Sequence, residues 1–214
     1  MTLQIIFTFI FAYLIGGIPN AVWIGKVFWG KDVRKEGSGN AGATNTFRVL
    51  GTTAGIIVLA LDILKGVVAV LLADIAGREN FSPSQFLYYQ IALGLTAGLG
   101  HIFPVYLQFK GGKGVATFFG VVLYLFPLAA GICVITFLAV FIITHYVSLG
   151  SILASFAFTI SIFAWYLKSN SEVPLAIFAL IVPVIISYTH RKNFKRILNG
   201  TESKMYFLRK QNPS

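Results

Sequence analysis

A run of glycines and lysines in the middle of the chain is the first candidate for chemistry. Lys110 and Lys113 flank paired glycines in the stretch that runs from residue 100 to residue 117. We predict that Lys113 and Gly114 stand at the start of a helix, where free N–H groups and the helix dipole favour a phosphate. The spacing differs from that of the nucleotide P-loop, which needs a longer gap before its lysine. The stretch therefore predicts a phosphate site, with membrane-surface anchoring of the two lysines as the alternative.

A second glycine-rich stretch, residues 37–48, has the residue types of an anion cradle. Glycines adopt positive φ and let backbone amides approach an anion, while Ser, Thr and Asn add short donors. Arg48 adds a fixed charge with a bidentate fork. The alternative is that the glycines, serine and asparagines only form turns. The candidate binding residues here are Gly37, Ser38, Gly39, Asn40, Gly42, Thr44, Asn45 and Arg48.

The basic segment that follows the last apolar run, residues 190–202, is the third candidate. His190 and Asn193 are three residues apart, so they share one face of a helix. A tail that only meets anionic lipid headgroups would need basic residues, but neither a histidine nor an asparagine. The segment therefore predicts a polar site at the membrane surface, with simple lipid binding as the alternative.

Isolated polar residues in apolar sequence give weaker signals. Asp62 and Lys65 are three residues apart and predict a buried ion pair, because a single charge inside a membrane is costly. His101 fits an interhelical hydrogen bond at least as well as a chemical role. Ser148 and Ser151 flank a glycine in a predicted loop, and either can donate a hydrogen bond.

The elements that must position these residues are predicted to be membrane helices. The chain is 57% hydrophobic and 11% charged, and its first apolar segment lacks the basic start and cleavage site of a signal peptide. Residues 115–147 would be about 50 Å long as one helix, so we predict two helices divided at Pro127. We predict one all-α domain over residues 1–214, an integral membrane bundle of about seven transmembrane helices, some of them short. The predicted spans are 3–27, 52–76, 85–107, two within 115–147, 149–167 and 173–188.

A bundle of five spans is the alternative, in which residues 115–147 enter and leave the membrane on one side. Most of the 17 lysine and arginine residues lie in the odd-numbered loops and the tail, and basic loops stay in the cytoplasm. We therefore predict the N-terminus outside, and the C-terminus and all three polar stretches facing the cytoplasm. The net charge of +10 is explained by membrane anchoring, so nucleic acid is not expected as a partner.

The sequence lacks several motifs, and each absence excludes one kind of catalytic site. None of the three histidines is followed five residues later by aspartate, which excludes the usual His-Asp arrangement of glycerolipid acyltransferases. The sequence has no Gly-x-Ser-x-Gly turn, no carboxylate cluster for a metal and only one cysteine, Cys133, which excludes a disulfide within the chain. A phosphate site without metal or cofactor fits these absences. The alternative is a transporter or channel for organic phosphates. A transport path needs polar residues on both sides of the membrane midplane, whereas the three polar stretches all lie on one predicted face.

In this order, the three stretches resemble the bacterial PlsY family, the membrane acyl-phosphate:glycerol-3-phosphate acyltransferases. The resemblance covers nearly the whole chain. The residues that carry it are Gly37-Ser38-Gly39-Asn40 with Gly42, Thr44 and Asn45; Gly100-His101, Pro104 and the run from Phe109 to Thr117; and His190-Arg191 with Asn193, Arg196, Gly200 and Glu202.

The resemblance implies transfer of a fatty acyl group from acyl phosphate to the primary hydroxyl of sn-glycerol 3-phosphate, giving lysophosphatidic acid and inorganic phosphate. This is the first acylation of phospholipid synthesis, and we expect a monomer surrounded by lipid in the bacterial cell membrane. The resemblance implies that Ser38 and the first loop hold the acyl phosphate. The residues implied for glycerol 3-phosphate are Arg48, Lys113, Ser151, His190 and Asn193. Further binding residues are Gly37, Gly39, Asn40, Gly42, Thr44, Asn45, His101, Gly111, Gly112, Gly114, Thr117 and Glu202.

The implied chemistry needs no enzyme nucleophile. An acyl phosphate is already an activated mixed anhydride, so direct attack by the hydroxyl needs mainly positioning and charge stabilisation. The proton has two candidate acceptors, a phosphate oxygen of the substrate and His190. We favour the phosphate oxygen, because no carboxylate belongs clearly to the site.

Overall fold

Helices form all the regular secondary structure in the part of the chain that the computed structural model describes, residues 1–169 and 173–206. Within the predicted connection after the sixth span, residues 170–172 lie outside the described residues, as does the end of the basic tail, residues 207–214. The chain divides into two compact units, Met1–Pro127 and Leu128–Ser214. The single domain over residues 1–214 stays a prediction.

The first unit contains six α-helices. Two short polar connections interrupt them, one between α2 and α3 and one between α5 and α6, and these connections carry the first two candidate stretches. The helices are α1 (Thr2–Gly17), α2 (Asn20–Trp29), α3 (Ala43–Leu50), α4 (Thr52–Leu71), α5 (Pro83–Ile102) and α6 (Val115–Leu125).

The second unit contains three apolar helices and a short amphipathic one. Phe158 and Phe178 meet edge to face with their ring centroids 5.6 Å apart, and the Thr159 hydroxyl donates to the carbonyl of Ala179 at 2.6 Å. These contacts hold α8 against α9. The helices are α7 (Pro127–Thr144), α8 (Val147–Ser169), α9 (Val173–Thr189) and α10 (Arg191–Leu198).

The helices of the described residues are long and apolar enough for four membrane spans, or up to six if each of two bent pairs counts as one span. The bent pairs are α1 with α2 and α9 with α10. The predicted division at Pro127 is found, because α6 ends at Leu125 and α7 begins at Pro127. Since α6 is shorter than a full span, the count of seven stays a prediction.

The first predicted span, residues 3–27, is interrupted, which the sequence prediction did not include. The chain bends by 46° between α1 and α2, and Ile18 at the break has extended backbone angles (φ −54°, ψ 117°). Pro19 follows it, and a proline disfavours helical geometry in the residue before it and lacks an N–H to donate. The break leaves the Ile18 carbonyl available to side chains of neighbouring helices.

Two other predicted boundaries shift for local reasons. The polar stretch 37–48 is only partly a loop, because α3 begins after the extended Gly42 and ends before Gly51, whose φ is 88°. The third predicted span, 85–107, lies within the candidate span Pro83–Leu107. Its α-helix ends at Ile102 before Pro104, which cannot donate to the preceding turn, and the 3-10 turn Val105–Leu107 follows. Ser148 and Ser151 lie in the first turns of α8 and not in a loop.

Glycines bring α4 close to α6 and α1 close to α5. A methyl group built on Gly66 would overlap the carbonyl oxygen of Thr117, and one built on Gly16 would overlap that of Ala97. Small residues allow such close backbone approach in membranes, where van der Waals packing drives helix association. The α4–α6 approach places the charged middle of α4 beside the start of α6.

We expect Gly66→Ala to lower the Tm of the purified protein, because the added methyl group forces α4 and α6 apart. Overpacking of this kind costs about 1–3 kcal/mol. Gly131→Ala is the matched control, since its added methyl group has no atom within 4 Å and alanine favours a helix by about 1 kcal/mol. Thermal unfolding in one detergent compares the two variants. Equal Tm values for both would contradict the close approach.

Candidate active site

Two charges lie buried in the middle of α4. The Asp62 and Lys65 side chains are 3% and 5% exposed, and Lys65 Nζ lies 2.9 Å from Asp62 Oδ1. Asn20 Nδ2 donates to the same oxygen at 2.9 Å, and Lys65 donates to the Ile18 carbonyl at 3.1 Å. The predicted ion pair is therefore present, and it reaches the break between α1 and α2.

His101, in the last turn of α5, joins this ion pair to the start of α6. Its Nδ1 atom lies 3.1 Å from Thr117 Oγ1 and 3.9 Å from Asp62 Oδ1. The His101 side chain is buried. The interhelical hydrogen bond that the sequence allowed is therefore found, and substrate contact by His101 or Thr117 stays a prediction.

The second loop, residues 108–114, folds back on the end of α5. The Gly112 N–H donates to the His101 carbonyl and the Gly111 N–H to the Ile102 carbonyl, both at 3.1 Å. A methyl group on Gly112 would overlap the His101 ring. The paired glycines thus let the loop pass directly against His101, and their amides are used inside the protein. Binding of substrate by these two glycines stays a prediction.

The predicted helix start after Lys113 and Gly114 is present. Gly114 has left-handed geometry (φ 83°), and α6 begins at Val115. Because Gly114 has no side chain to cap the helix, the first N–H groups of α6 and the positive end of its dipole are available to an anion. Lys113 is half-buried next to this helix start. The arrangement suits a phosphate group.

Asn45 shapes the first loop, residues 36–42, from inside. It is 1% exposed, and its Oδ1 accepts from the Ser38 N–H at 2.8 Å. Its Nδ2 donates to the carbonyls of Val33 at 2.6 Å and Glu36 at 3.2 Å. Two of the three side-chain hydrogen bonds thus hold the backbone before the glycines, and the third orients Ser38. Asn45 is a positioning residue in this structure.

The glycines of the first loop allow the same backbone conformation. Gly37 and Gly39 have φ values of 62° and 71°, and a methyl group on Gly37 would overlap Asn45 Oδ1. The Gly39 N–H donates to the Glu36 carbonyl at 3.1 Å. The loop is therefore a preformed turn that leaves Ser38 exposed at its tip. Anion contact by the loop stays a prediction.

A network of charges fixes the base of the first loop. Asp32 precedes the 3-10 turn Val33–Lys35 and accepts from Arg34 through the backbone N–H at 3.1 Å and the side-chain Nε at 2.9 Å. The Arg34 hydrogen bonds, with the charge of Lys26, hold the pKa of the Asp32 carboxyl well below its usual range. Asp32 therefore stays ionised and keeps the turn formed at any physiological pH.

The first and second loops meet at one small cavity in the first unit. Ala41 from the first loop and the paired glycines of the second line it, together with the buried α4 pair and His101, around ≈ 10 Å³ of space. Thr44 and Arg48 are half-buried on α3, which follows the first loop directly. The structure thus brings the first two candidate stretches together, although they are far apart in the sequence.

In the second unit, Glu202 joins α8 to α10. Its Oε1 accepts from Asn193 Nδ2 at 2.7 Å and from the Ser148 hydroxyl at 2.9 Å, and its Oε2 accepts from Arg196 Nε at 2.7 Å. The Glu202 side chain is 5% exposed. Burial alone would raise the pKa of Glu202, but the hydrogen bonds from Asn193, Arg196 and Ser148 outweigh it and leave the pKa below its ordinary value. Glu202 therefore acts as an ionised clamp.

His190 and Ser151 are both held by local carbonyl groups. His190 Nδ1 lies 2.8 Å from the Ile186 carbonyl, and because a carbonyl only accepts, Nδ1 carries the proton there. In the neutral ring Nε2 is then the acceptor. The Ser151 hydroxyl donates to the Val147 carbonyl at 2.9 Å and keeps its acceptor lone pairs. The sequence predicted His190 and Asn193 on one face of a helix, but His190 is the residue before α10, at a 60° bend, and only Asn193 lies within the helix.

Sequence reasoning missed Asn20. It carries no motif, and the only signal in the sequence is the isoleucine–proline break before it. Ser148 donates a hydrogen bond, as the sequence allowed, but it does so from a helix, and its partner Glu202 was not predicted. Among the described residues, no group of three or more His, Cys, Asp or Glu side chains is placed to hold a metal ion.

The fold and these sites define a multi-pass helical membrane protein with preformed polar loops. A family model described as "Glycerol-3-phosphate acyltransferase" matches residues 6–200. The "Glycerol-3-phosphate acyltransferase 2" of Bacillus anthracis is 48% identical over 94% of this chain and 98% of that protein. The chain therefore belongs to the glycerol-3-phosphate acyltransferase family.

Solved structures place the chain in the same group. The glycerol 3-phosphate form of PlsY (YgiH), an integral membrane glycerol 3-phosphate acyltransferase, superposes with a TM-score of 0.83 at 36% identity, over 95% of this chain and 96% of that one. The lysophosphatidic acid form of PlsY gives a TM-score of 0.78 at 37% identity over the same shares. Membership of the PlsY family, which the sequence motifs indicated, is thus confirmed.

We expect Glu202→Gln to remove an acid-sensitive part of the stability. Because the folded-state pKa of Glu202 lies below its ordinary value of 4.5, its contribution is fully present above about pH 4.5 and is lost as the pH falls through the folded-state pKa. When the pH is lowered from about 7 to about 4, the Tm should fall less for Glu202→Gln than for the wild type. The exposed Glu79→Gln is the control and should follow the wild type. Parallel pH dependence in all three proteins would contradict the clamp.

Proposed function

We propose that this chain transfers a fatty acyl group from acyl phosphate to the primary hydroxyl of sn-glycerol 3-phosphate, giving lysophosphatidic acid and inorganic phosphate. The observation that carries the proposal is the start of α6, where Lys113 precedes a helix N-terminus that has no side-chain cap. The loop before it shares a small cavity with Ala41 of the first loop. Both substrates carry a phosphate group, which is the chemistry that a cationic side chain and helix N–H groups favour. The family membership supports the same activity.

The residue roles follow from this proposal. Ser38 and the first loop hold the acyl-phosphate group, since the loop is preformed and exposes the serine hydroxyl. Arg48 and Lys113 from the first unit bind glycerol 3-phosphate. The resemblance to the PlsY family gives Ser151, His190 and Asn193 the same role. The sequence also predicts other loop residues for the site. Each of these residues either contacts substrate or shapes a loop that contacts substrate.

The reaction is a direct transfer without an acyl-enzyme intermediate. The glycerol 3-phosphate hydroxyl oxygen attacks the acyl carbonyl carbon, a new ester C–O bond forms, and the bond from that carbon to the phosphate oxygen breaks. Phosphate leaves with the electron pair of the broken bond. Orientation of the two substrates and stabilisation of the developing negative charge supply the rate enhancement.

A phosphate oxygen of the substrate takes the hydroxyl proton. The buried carboxylates Asp62 and Glu202 are engaged elsewhere, Asp62 with Lys65 and Asn20, and Glu202 with Arg196 and its neighbours. His190 is the competing acceptor, because its Nδ1–H donates to a carbonyl and Nε2 is therefore the basic nitrogen of the neutral ring.

The membrane arrangement is part of the proposal. Seven spans with the N-terminus outside would direct the glycine-rich loops and the basic tail to the cytoplasm of a bacterial cell, where glycerol 3-phosphate is present. The excess of lysine and arginine in these loops supports this orientation. The acyl chain would lie among the helices, and we propose that the enzyme acts as a monomer in the lipid bilayer.

The activity is tested with purified protein in lipid nanodiscs, supplied with acyl phosphate and glycerol 3-phosphate, by following phosphate release. We expect release to require glycerol 3-phosphate. Lys113→Ala should lower kcat/KM by about 100-fold or more, as for removal of one charge-stabilising donor, while the Tm is retained. Lys110→Ala is the matched control, because Lys110 is exposed on the same loop, and it should stay near the wild type. Phosphate release that ignores glycerol 3-phosphate would overturn the assignment.

The proton acceptor is tested by His190→Ala and His190→Gln at saturating glycerol 3-phosphate. If a phosphate oxygen is the acceptor, we expect KM for glycerol 3-phosphate to rise and kcat to stay within about tenfold of the wild type. Such a loss of kcat is smaller than the roughly 100- to 10,000-fold that a general base contributes. The Tm of each variant verifies folding, since His190 is buried. A collapse of kcat with KM retained would assign the proton to His190 instead.

A further inference from the structure

We infer that the buried network of Asn20, Asp62, Lys65, His101 and Thr117 is a positioning device for the second loop. The network fixes the path of residues 108–114 over the end of α5, and through this path it fixes Lys113 at the start of α6. Its residues come from the α1–α2 break and from α4, α5 and α6, all within the first unit. The inference deepens the proposed function, and its kinetic consequence rests on that function.

Stability alone explains the ion pair poorly. Replacing a buried ion pair by apolar residues of similar size is often neutral or stabilising, because two charges must be stripped of water. The same helices already have close contacts that need no charge, at Gly66 and Gly120 between α4 and α6 and at Gly16 between α1 and α5. The pair instead holds defined polar partners, and such partners specify one arrangement of the helices.

A chain of contacts leads from the ion pair to the loop. Lys65 and Asn20 hold Asp62 in place, and Asp62 Oδ1 lies 3.9 Å from His101 Nδ1, a packing contact that is too long for a hydrogen bond. Thr117 contacts the same ring nitrogen at 3.1 Å from the first turn of α6. The other side of the ring faces Gly112, where even a methyl group would overlap it. The orientation of the His101 ring therefore sets where residues 111 and 112 can lie.

The network does not itself have room for a substrate. The cavity between the ion pair, His101 and the paired glycines is ≈ 10 Å³, which is about the room of one water molecule. A phosphate group does not fit there. The network thus influences substrate only through the loop that covers it, and Asp62, Lys65 and His101 are positioning residues.

The test uses the double variant Asp62→Asn/Lys65→Met in the full-length protein in lipid nanodiscs. It removes both charges, so neither is left unpaired, and the new amide oxygen still accepts from Asn20. Hydrogen–deuterium exchange reports the Gly111 and Gly112 amides, which donate to the end of α5. We expect these amides to exchange at least about tenfold faster than in the wild type, with the middle of α5 unchanged and the Tm retained.

The kinetic arm measures KM and kcat of the same variant. Displacement of Lys113 should raise KM for glycerol 3-phosphate by about tenfold or more, with KM for acyl phosphate unchanged. Thr8→Val is the matched control, because it removes a buried α1–α5 hydrogen bond to Tyr89 outside the network. We expect Thr8→Val to change the Tm without changing exchange at residues 111 and 112 or either KM.

Thr117→Val keeps the inference testable if the double variant does not fold, since it removes only the hydroxyl that contacts His101. We expect faster exchange at Gly112 and a higher KM for glycerol 3-phosphate. A folded variant with wild-type exchange at both glycines overturns the inference, and so does faster exchange with wild-type KM. If the wild type shows no turnover dependent on glycerol 3-phosphate, the proposed function fails while the exchange measurement still decides on the positioning role.

Discussion

The ion pair between Asp62 and Lys65 is the constraint on which the first unit depends. A charge on a membrane helix needs a partner and hydrogen bonds, because lipid supplies neither. The two charges pair with each other, and the hydrogen bonds come from the α1–α2 break, while His101 at the end of α5 packs 3.9 Å from Asp62. Three parts of the unit therefore converge on the middle of α4. Glycines then let α6 approach closely enough for its first turn to join them.

The glycines of both loops act mainly on the shape of the backbone. Gly37 makes room for the Asn45 amide, and Gly112 makes room for the His101 ring. Several loop amides donate to protein groups, so the loops are rigid before any substrate binds. Such preorganisation suits a reaction between an activated acyl donor and a hydroxyl, where orientation and charge stabilisation supply most of the rate.

Buried carboxylates in both units accept hydrogen bonds that hold helices in place. Asp62 and Glu202 each accept hydrogen bonds from a cationic side chain and an asparagine amide. Glu202 is a poor base, because its hydrogen bonds hold its pKa below the ordinary value. The acidic residues therefore order the helices that carry the cationic and hydroxyl groups, and the proposed reaction has the substrate phosphate or His190 as its proton acceptor.

Features set by neighbours in the sequence could be predicted from the sequence alone. The i, i+3 spacing of Asp62 and Lys65, the division at Pro127 and the helix start after Gly114 are local, and all three are found. The three motifs were sufficient to indicate the family. The roles of Asn20, Asn45 and Glu202 needed the tertiary structure, because their partners lie 6 to 54 residues away. A polar side chain in a sequence shows what it can bind, and only the fold decides which donors and acceptors reach it.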